Sequence, residues 1–202
     1  MIAPGRVMLA LLAAGQSRRF GAADKLSAEL CGMPLALHAV ASLAPIAFLD
    51  RVAIVSATAV DFAAHGYRCL TNPAPEAGLS GSVQLAAGAA REMGAAALLI
   101  VLADMPYITP ALIAGLLGAA ERPADVIAAS DGTRPSPPAL FGAARYAELM
   151  AATGDAGARA LLRTGQHIVA PPGTLIDIDM PADLAAAQAR FDAIRGAARR
   201  SD

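Results

Sequence analysis

Apolar residues run without interruption at Val7–Ala13 (VMLALLA) and Leu98–Leu102 and up to the closing serine of Val52–Ser56, with shorter, mostly apolar runs at Val126–Ala129, Ile168–Ala170 and Leu175–Ile178. Each has the length of a strand, and a strand that is apolar at every position is one buried on both faces. Between these runs the apolar residues fall at helical spacing over Pro34–Leu43, Ser80–Met93, Pro110–Ala120, Tyr146–Met150 continuing through Gly157–Leu162, and Pro181–Ala193. Strand and helix in alternation predict crossover connections and a mostly parallel sheet covered by helices on both faces, a three-layer α/β/α fold. The proline-rich segment Glu121–Pro138 reads as a loop-rich stretch with one short strand. Residues 1–195 are expected to form one domain, followed by a basic tail at 196–202 whose helix end frays into solvent.

Composition narrows the picture. Of 202 residues 56% are hydrophobic, but 52 are alanines, so about half of that figure is small side chain and lets helices approach the sheet closely. The longest unbroken apolar stretch, Ala95–Ala103, has nine residues, whereas a membrane helix needs about 20. Sixteen Lys and Arg against seventeen Asp and Glu leave a net charge of −1. No long-range field gathers polyanions, so neither a nucleic-acid nor a membrane partner is expected. The opening Met1–Arg6 lacks the ordered zones of an export signal, and a cytoplasmic protein is expected. Cys31 and Cys69 stand 38 residues apart without a metal-binding spacing and read as buried small thiols in a reducing compartment.

In an open α/β sheet the ligand crevice lies beyond the carboxyl ends of the strands, so the segment after the first strand is the first place for chemistry. It reads LAAGQSRRFGAADKL from Leu12 to Leu26. Ala13, Ala14 and Gly15 leave backbone N–H groups open to a phosphate or a base, and Arg18, Arg19 and Lys25 place three cations within eight residues. The loop lacks the Gly-Lys-Ser/Thr of a Walker A motif and the Gly-x-Gly-x-x-Gly of a dinucleotide site. Further on, Ser80 is a candidate substrate-binding residue, although it can also cap the helix that follows Gly78. Asp104 ends the third long apolar run just before Pro106, where a carboxylate needs a cation, and Mg²⁺ suits it. Alternation in Leu175–Asp179 would place Asp177 and Asp179 on one side of an extended strand. Thr109 is positioned to cap the helix from Pro110, and Asp183 to sit in the first turn of the last helix.

The Leu12–Leu26 stretch resembles the signature loop of the molybdenum-cofactor nucleotidyltransferases, the MobA-like family, and more closely its cytidylyltransferase branch, which reads Leu-Ala-Ala-Gly-x-Ser-x-Arg-Phe-Gly-x-x-Asp-Lys-Leu. The resemblance implies a Rossmann-like fold of the nucleotide-diphospho-sugar transferase type. It makes Ala13, Ala14 and Gly15 nucleotide-contacting backbone, Arg19 a triphosphate ligand and Lys25 the lysine near the α-phosphate, while Arg18 falls at a variable position. In Gly78-Leu-Ser-Gly-Ser-Val-Gln84, Ser82 takes the place of a serine that contacts the base. Leu102-Ala-Asp-Met-Pro106 matches the family's metal-binding strand end, and Asp179 the second metal ligand, although Met180 and Ala182 replace the usual Thr and Glu. Gly154-Asp-Ala-Gly-Ala-Arg-Ala-Leu-Leu162 resembles a block whose arginine, here Arg159, would meet the acceptor phosphate. Ser136 and Pro137 stand where many members have Gly-His, so the acceptor side departs from the pattern.

Together these imply Mg²⁺-dependent transfer of CMP from CTP to a molybdopterin phosphate, with a receiving molybdoenzyme or its chaperone as partner. GTP in place of CTP, a sugar or polyol phosphate as acceptor, and a non-catalytic nucleotide-binding accessory protein stay open at this point.

Overall fold

The computed structural model describes residues 1–17, 19–21 and 23–198, with the side chains of residues 77, 155–158 and 194–198 outside the description. Arg18 and residues 199–202, most of the expected tail, lie outside the described residues. The strands are β1 Val7–Ala13, β2 Glu29–Leu30, β3 Met33–Pro34, β4 Asp50–Val55, β5 Arg68–Thr71, β6 Ala97–Leu102, β7 Val126–Ser130, β8 Pro135–Gly142 and β9 Gln166–Val169. The helices are α1 Leu35–Leu43, α2 Leu79–Glu92, α3 Pro110–Ala119, α4 Tyr146–Ala151, α5 Gly154–Thr164 and α6 Pro181–Ala198.

Seven strands form one sheet in the order β5-β4-β1-β6-β8-β7-β9. All neighbours run parallel except at β8, which pairs antiparallel with β6 and β7. The strands alternate their side chains between two cores. Val7, Leu9 and Leu11 of β1 pack with Ala36, Val40 and Leu43 of α1 and Ile113 and Leu116 of α3. Met8, Ala10 and Leu12 pack on the opposite face with Val83, Ala86 and Ala90 of α2 and Leu149 and Leu162 of α4 and α5. Every β1 side chain is buried, which is what its unbroken apolar run requires.

The structure corrects the sequence reading at several places. Leu175–Ile178 belongs to no strand: Ile178 is buried but Ile176 is 41% exposed, Leu175 packs against the core beside the sheet, and the Ile178 N–H donates at 3.0 Å to the carbonyl of Asp104, just past the end of β6. The prolines of Glu121–Pro138 conceal β8, an interior strand. Its pairing with β6 covers only residues 139–142, so Pro135, Pro137 and Pro138 fall where no donor toward β6 is needed. The long helix expected from Tyr146 breaks at Ala152 and Thr153, both extended, and Gly154 takes φ +61°. Cys69 is exposed and Cys31 half-buried rather than buried; Cys31 and Gly32 both take positive φ in the two-residue turn between β2 and β3. Among the described residues no helix is long and apolar enough to cross a membrane.

Gly142 shows how closely β8 is packed. A Cβ there would collide with the Pro123 carbonyl and stand 2.9 Å from the Arg122 carbonyl oxygen. That turn is itself held by Ala144 N–H on the Pro123 carbonyl and Gly142 N–H on the Asp125 carbonyl, each at 2.9 Å. Gly142→Ala is expected to cost about 1–3 kcal/mol, lowering Tm by roughly 2–4 °C per kcal/mol. An unchanged Tm in thermal unfolding would show that the turn yields freely.

Candidate active site

β1, β4 and β6 are parallel neighbours, so their carboxyl ends open on the same rim. The chain leaves β1 at Ala14 and Gly15 and crosses the rim before the short helical turn Lys25–Ser27. Asp24 anchors its far end. One carboxylate oxygen accepts the Leu26 N–H at 3.0 Å, while the other accepts the Thr58 hydroxyl at 2.8 Å and the Ala59 N–H at 2.9 Å from the loop after β4. The anchoring delivers Lys25 inward, with its side chain only 8% exposed.

There the chemistry converges. Lys25 Nζ donates to Asp104 Oδ2 at 2.7 Å and to Asp179 Oδ1 at 3.2 Å, and the Arg19 guanidinium donates to Asp179 Oδ2 at 2.6 Å. Asp104 comes from the end of β6. Asp179 is brought beside it by the Ile178–Asp104 backbone bond and by Asp183, whose Oδ2 accepts the N–H groups of Asp179 and Met180 at 3.0 and 2.7 Å. Asp183 therefore fixes the turn into α6 by direct hydrogen bonds, beyond the dipole effect expected of a first-turn acid. Thr109 caps α3 by accepting the Leu112 N–H at 3.2 Å.

Burial pushes the Asp104 carboxyl above the usual carboxylate range, Lys25 pulls it back only in part, and the charges of Asp177 and Asp179 add to the rise. Burial works to lower the pKa of Lys25, but the charge of Asp104 and then that of Asp179 outweigh it and hold the ammonium above its ordinary value. Asp104 Oδ1 is buried and has no hydrogen-bond partner among the described residues. An ionised oxygen in that state calls for a cation. Among the described residues no group of three or more His, Cys, Asp or Glu gathers as a metal cage. A divalent ion held here would take two carboxylates from the protein and its other oxygens from substrate or water, the habit of Mg²⁺.

A pocket of about 560 Å³ spreads from this cluster. Ala13, Ala14, Gly15, Arg19, Lys25, Ser82, Asp104 and Asp179 all line it. Ser80 does not: it sits inside α2, makes no cap, and lines a different pocket with Asn72 and Gln84, while Gly78 occupies the N-cap position. The helix begins one residue earlier than the sequence suggests, which carries the Ser80 hydroxyl past the capping position. Arg159 is exposed on α5 and lines neither pocket. Two contributors were not singled out from sequence. Asp24 could have been, because an Asp directly before a turn commonly accepts the backbone N–H two residues on. Asn72 offers a local turn signal, with its Oδ1 accepting the Ala74 N–H two residues on, but its contact with Ser82, ten residues away across a loop, has none.

The MobA-like NTP transferase domain matches residues 9–169. No curated protein matches the chain. A nucleotidyl transferase from Methanothermobacter is 18% identical, with TM-score 0.76, covering 92% of this chain and 97% of the other. The molybdopterin-guanine dinucleotide biosynthesis protein A of Archaeoglobus fulgidus is 18% identical, with TM-score 0.66 and coverage of 92% and 98%. The 2-C-methyl-D-erythritol 4-phosphate cytidylyltransferase of Thermus thermophilus is also 18% identical, with TM-score 0.66 and coverage of 94% and 98%. The latter two differ in the nucleotide their names carry, so likeness of fold leaves the base to be read from this chain's own pocket.

Proposed function

The chain belongs to the MobA-like NTP transferase family, a family of nucleotidyltransferases, and on that premise we propose that it transfers CMP from CTP to the phosphate of the molybdopterin-bound molybdenum cofactor with release of pyrophosphate. One observation carries the reading. Two carboxylates 75 residues apart, Asp104 and Asp179, share the Lys25 ammonium in a pocket walled by the Ala13–Gly15 backbone, and one buried oxygen of Asp104 is left for a cation.

Nucleotidyl transfer is an in-line attack of one phosphate on another, so positioning and neutralisation of charge are the main needs and no nucleophilic side chain is required. Lys25 and Arg19, which neutralise the two acids in the free protein, are the cations that incoming phosphates would draw away. Lys25, fixed by the Asp24 anchor, would then offset charge at the α-phosphate. Arg19, on the open side with its side chain 70% exposed, would hold the departing pyrophosphate. Released from these partners, Asp104 and Asp179 would hold Mg²⁺, whose contribution when bound is to neutralise charge on the phosphate oxygens. The Ala14 methyl stands in the wall of the pocket where guanylyltransferases resembling this loop usually carry Gly, and the smaller space favours CTP over GTP. With that reaction go a cytoplasmic location and a receiving molybdoenzyme or chaperone to take up the product.

Gly15 offers a clean separation of binding from folding. A Cβ there meets no atom within 4 Å, so it would project into the pocket without strain. Gly15→Val is expected to leave Tm within about 2 °C while weakening CTP binding by about 10-fold or more through loss of the close backbone approach. Unchanged affinity would place the nucleotide elsewhere. The assignment as a whole is tested by incubating the protein with Mg²⁺, molybdopterin carrying molybdenum, and each of the four nucleoside triphosphates. Pyrophosphate release and a cytosine dinucleotide product by mass are expected with CTP. A guanine product, or turnover only with a sugar or polyol phosphate, would replace the assignment.

A further inference from the structure

Asn72 follows β5 and is buried, 4% exposed. Its Oδ1 accepts the Ala74 N–H at 3.0 Å, and its Nδ2 lies 3.0 Å from Ser82 Oγ. A backbone N–H can only donate, so the amide oxygen must face Ala74 and the NH₂ must face Ser82. An amide nitrogen accepts nothing, so Ser82 Oγ must be the acceptor. Gly81 keeps this arrangement close, since a Cβ there would stand 3.4 Å from both amide atoms of Asn72. The hydroxyl hydrogen of Ser82 is therefore turned away from Asn72 and has no acceptor among the described residues, on a side chain that lines the nucleotide pocket. We propose that Asn72 is a positioning residue that sets the polarity of Ser82, making its hydroxyl a donor into the pocket and so selecting a base that presents an acceptor there, such as O2 or N3 of cytosine.

This inference rests on the pocket's being a nucleotide site, and the test keeps the two apart by using a probe without a base. Binding of CTP and of inorganic tripolyphosphate, each with Mg²⁺ at pH 8, is measured by calorimetry for the wild type, Asn72→Asp, Ser82→Ala and the double variant. In Asn72→Asp one carboxylate oxygen still accepts the Ala74 N–H, but the other can only accept, so Ser82 must donate backward and turn its lone pairs to the base. CTP affinity is expected to fall about 10- to 100-fold, with tripolyphosphate affinity held within about twofold. Ser82→Ala should show a similar loss, to which Asn72→Asp adds nothing. An equal loss for both probes would reduce Asn72 to a structural role, and undiminished CTP binding by Asn72→Asp would overturn the inference alone. Wild-type protein that binds CTP no better than tripolyphosphate would remove the base-reading role of the pocket, and Asn72's part with it.

Discussion

Asp104→Asn is expected to lower pyrophosphate release from CTP by about 10²–10³-fold, the cost of removing one preorganised charge at a phosphoryl centre. Asparagine keeps the shape of the side chain and can still accept from Lys25, but it cannot hold a divalent ion as a carboxylate does. The fold should tolerate the change. Lys25 retains Asp179 at 3.2 Å, and the raised pKa of Asp104 means that its ionised form is already disfavoured by burial. A small change in Tm with a large loss of turnover is therefore the signature of a metal ligand. Full turnover under saturating Mg²⁺ would reject that role, and a large fall in Tm would mark the carboxylate as structural.

Lys25→Met should slow turnover by about 10²-fold and, unlike Asp104→Asn, should unsettle the fold. Methionine fills the space, but the acids lose the ammonium that both share; removing one partner of a fully buried ion pair costs about 3–5 kcal/mol, and this part-buried cluster should lose less. The sign with pH follows. Lys25 is the charge that pulls the Asp104 pKa down, so without it the folded-state value climbs further above the unfolded one. A carboxyl raised on folding costs stability above its folded pKa, and the cost disappears as pH falls through that value. The Tm deficit of the variant should accordingly be large at pH 8 and shrink toward pH 5. Mn²⁺ should restore part of it at pH 8, because an ion that binds only the folded state stabilises it by mass action. A deficit independent of pH and of the ion would mean that the two acids do not confront one another.

The inner layers were legible because their side chains obey simple periodicity. Val7–Ala13 has no polar residue, and β1 spans those residues in the middle of the sheet, with one core on each face. Tertiary needs overrode local pattern where the reading failed. Prolines argue against a strand, yet β8 enters the sheet because they lie beyond its pairing with β6. Ile176 and Ile178 look alike in sequence, but only Ile178 is tied to β6 through the Asp104 carbonyl, and its neighbour turns to solvent. In the pocket, the loop cations and the two acids announced themselves by charge in a chain with few charges. Asn72 did not, since its bond to the Ala74 N–H reads as an ordinary turn and its meaning comes from the Ser82 hydroxyl that the fold sets beside it.

In the proposed reaction Asp104 and Asp179 together would hold one divalent cation when nucleotide is bound. Titration of Mn²⁺ followed by electron paramagnetic resonance, with saturating CTP, tests it directly on the wild type, Asp104→Asn and Asp179→Asn. One tightly bound Mn²⁺ per chain is expected in the wild type, weakened at least about 10-fold in each variant. Wild-type affinity in either variant would mean that the two acids do not share the ion.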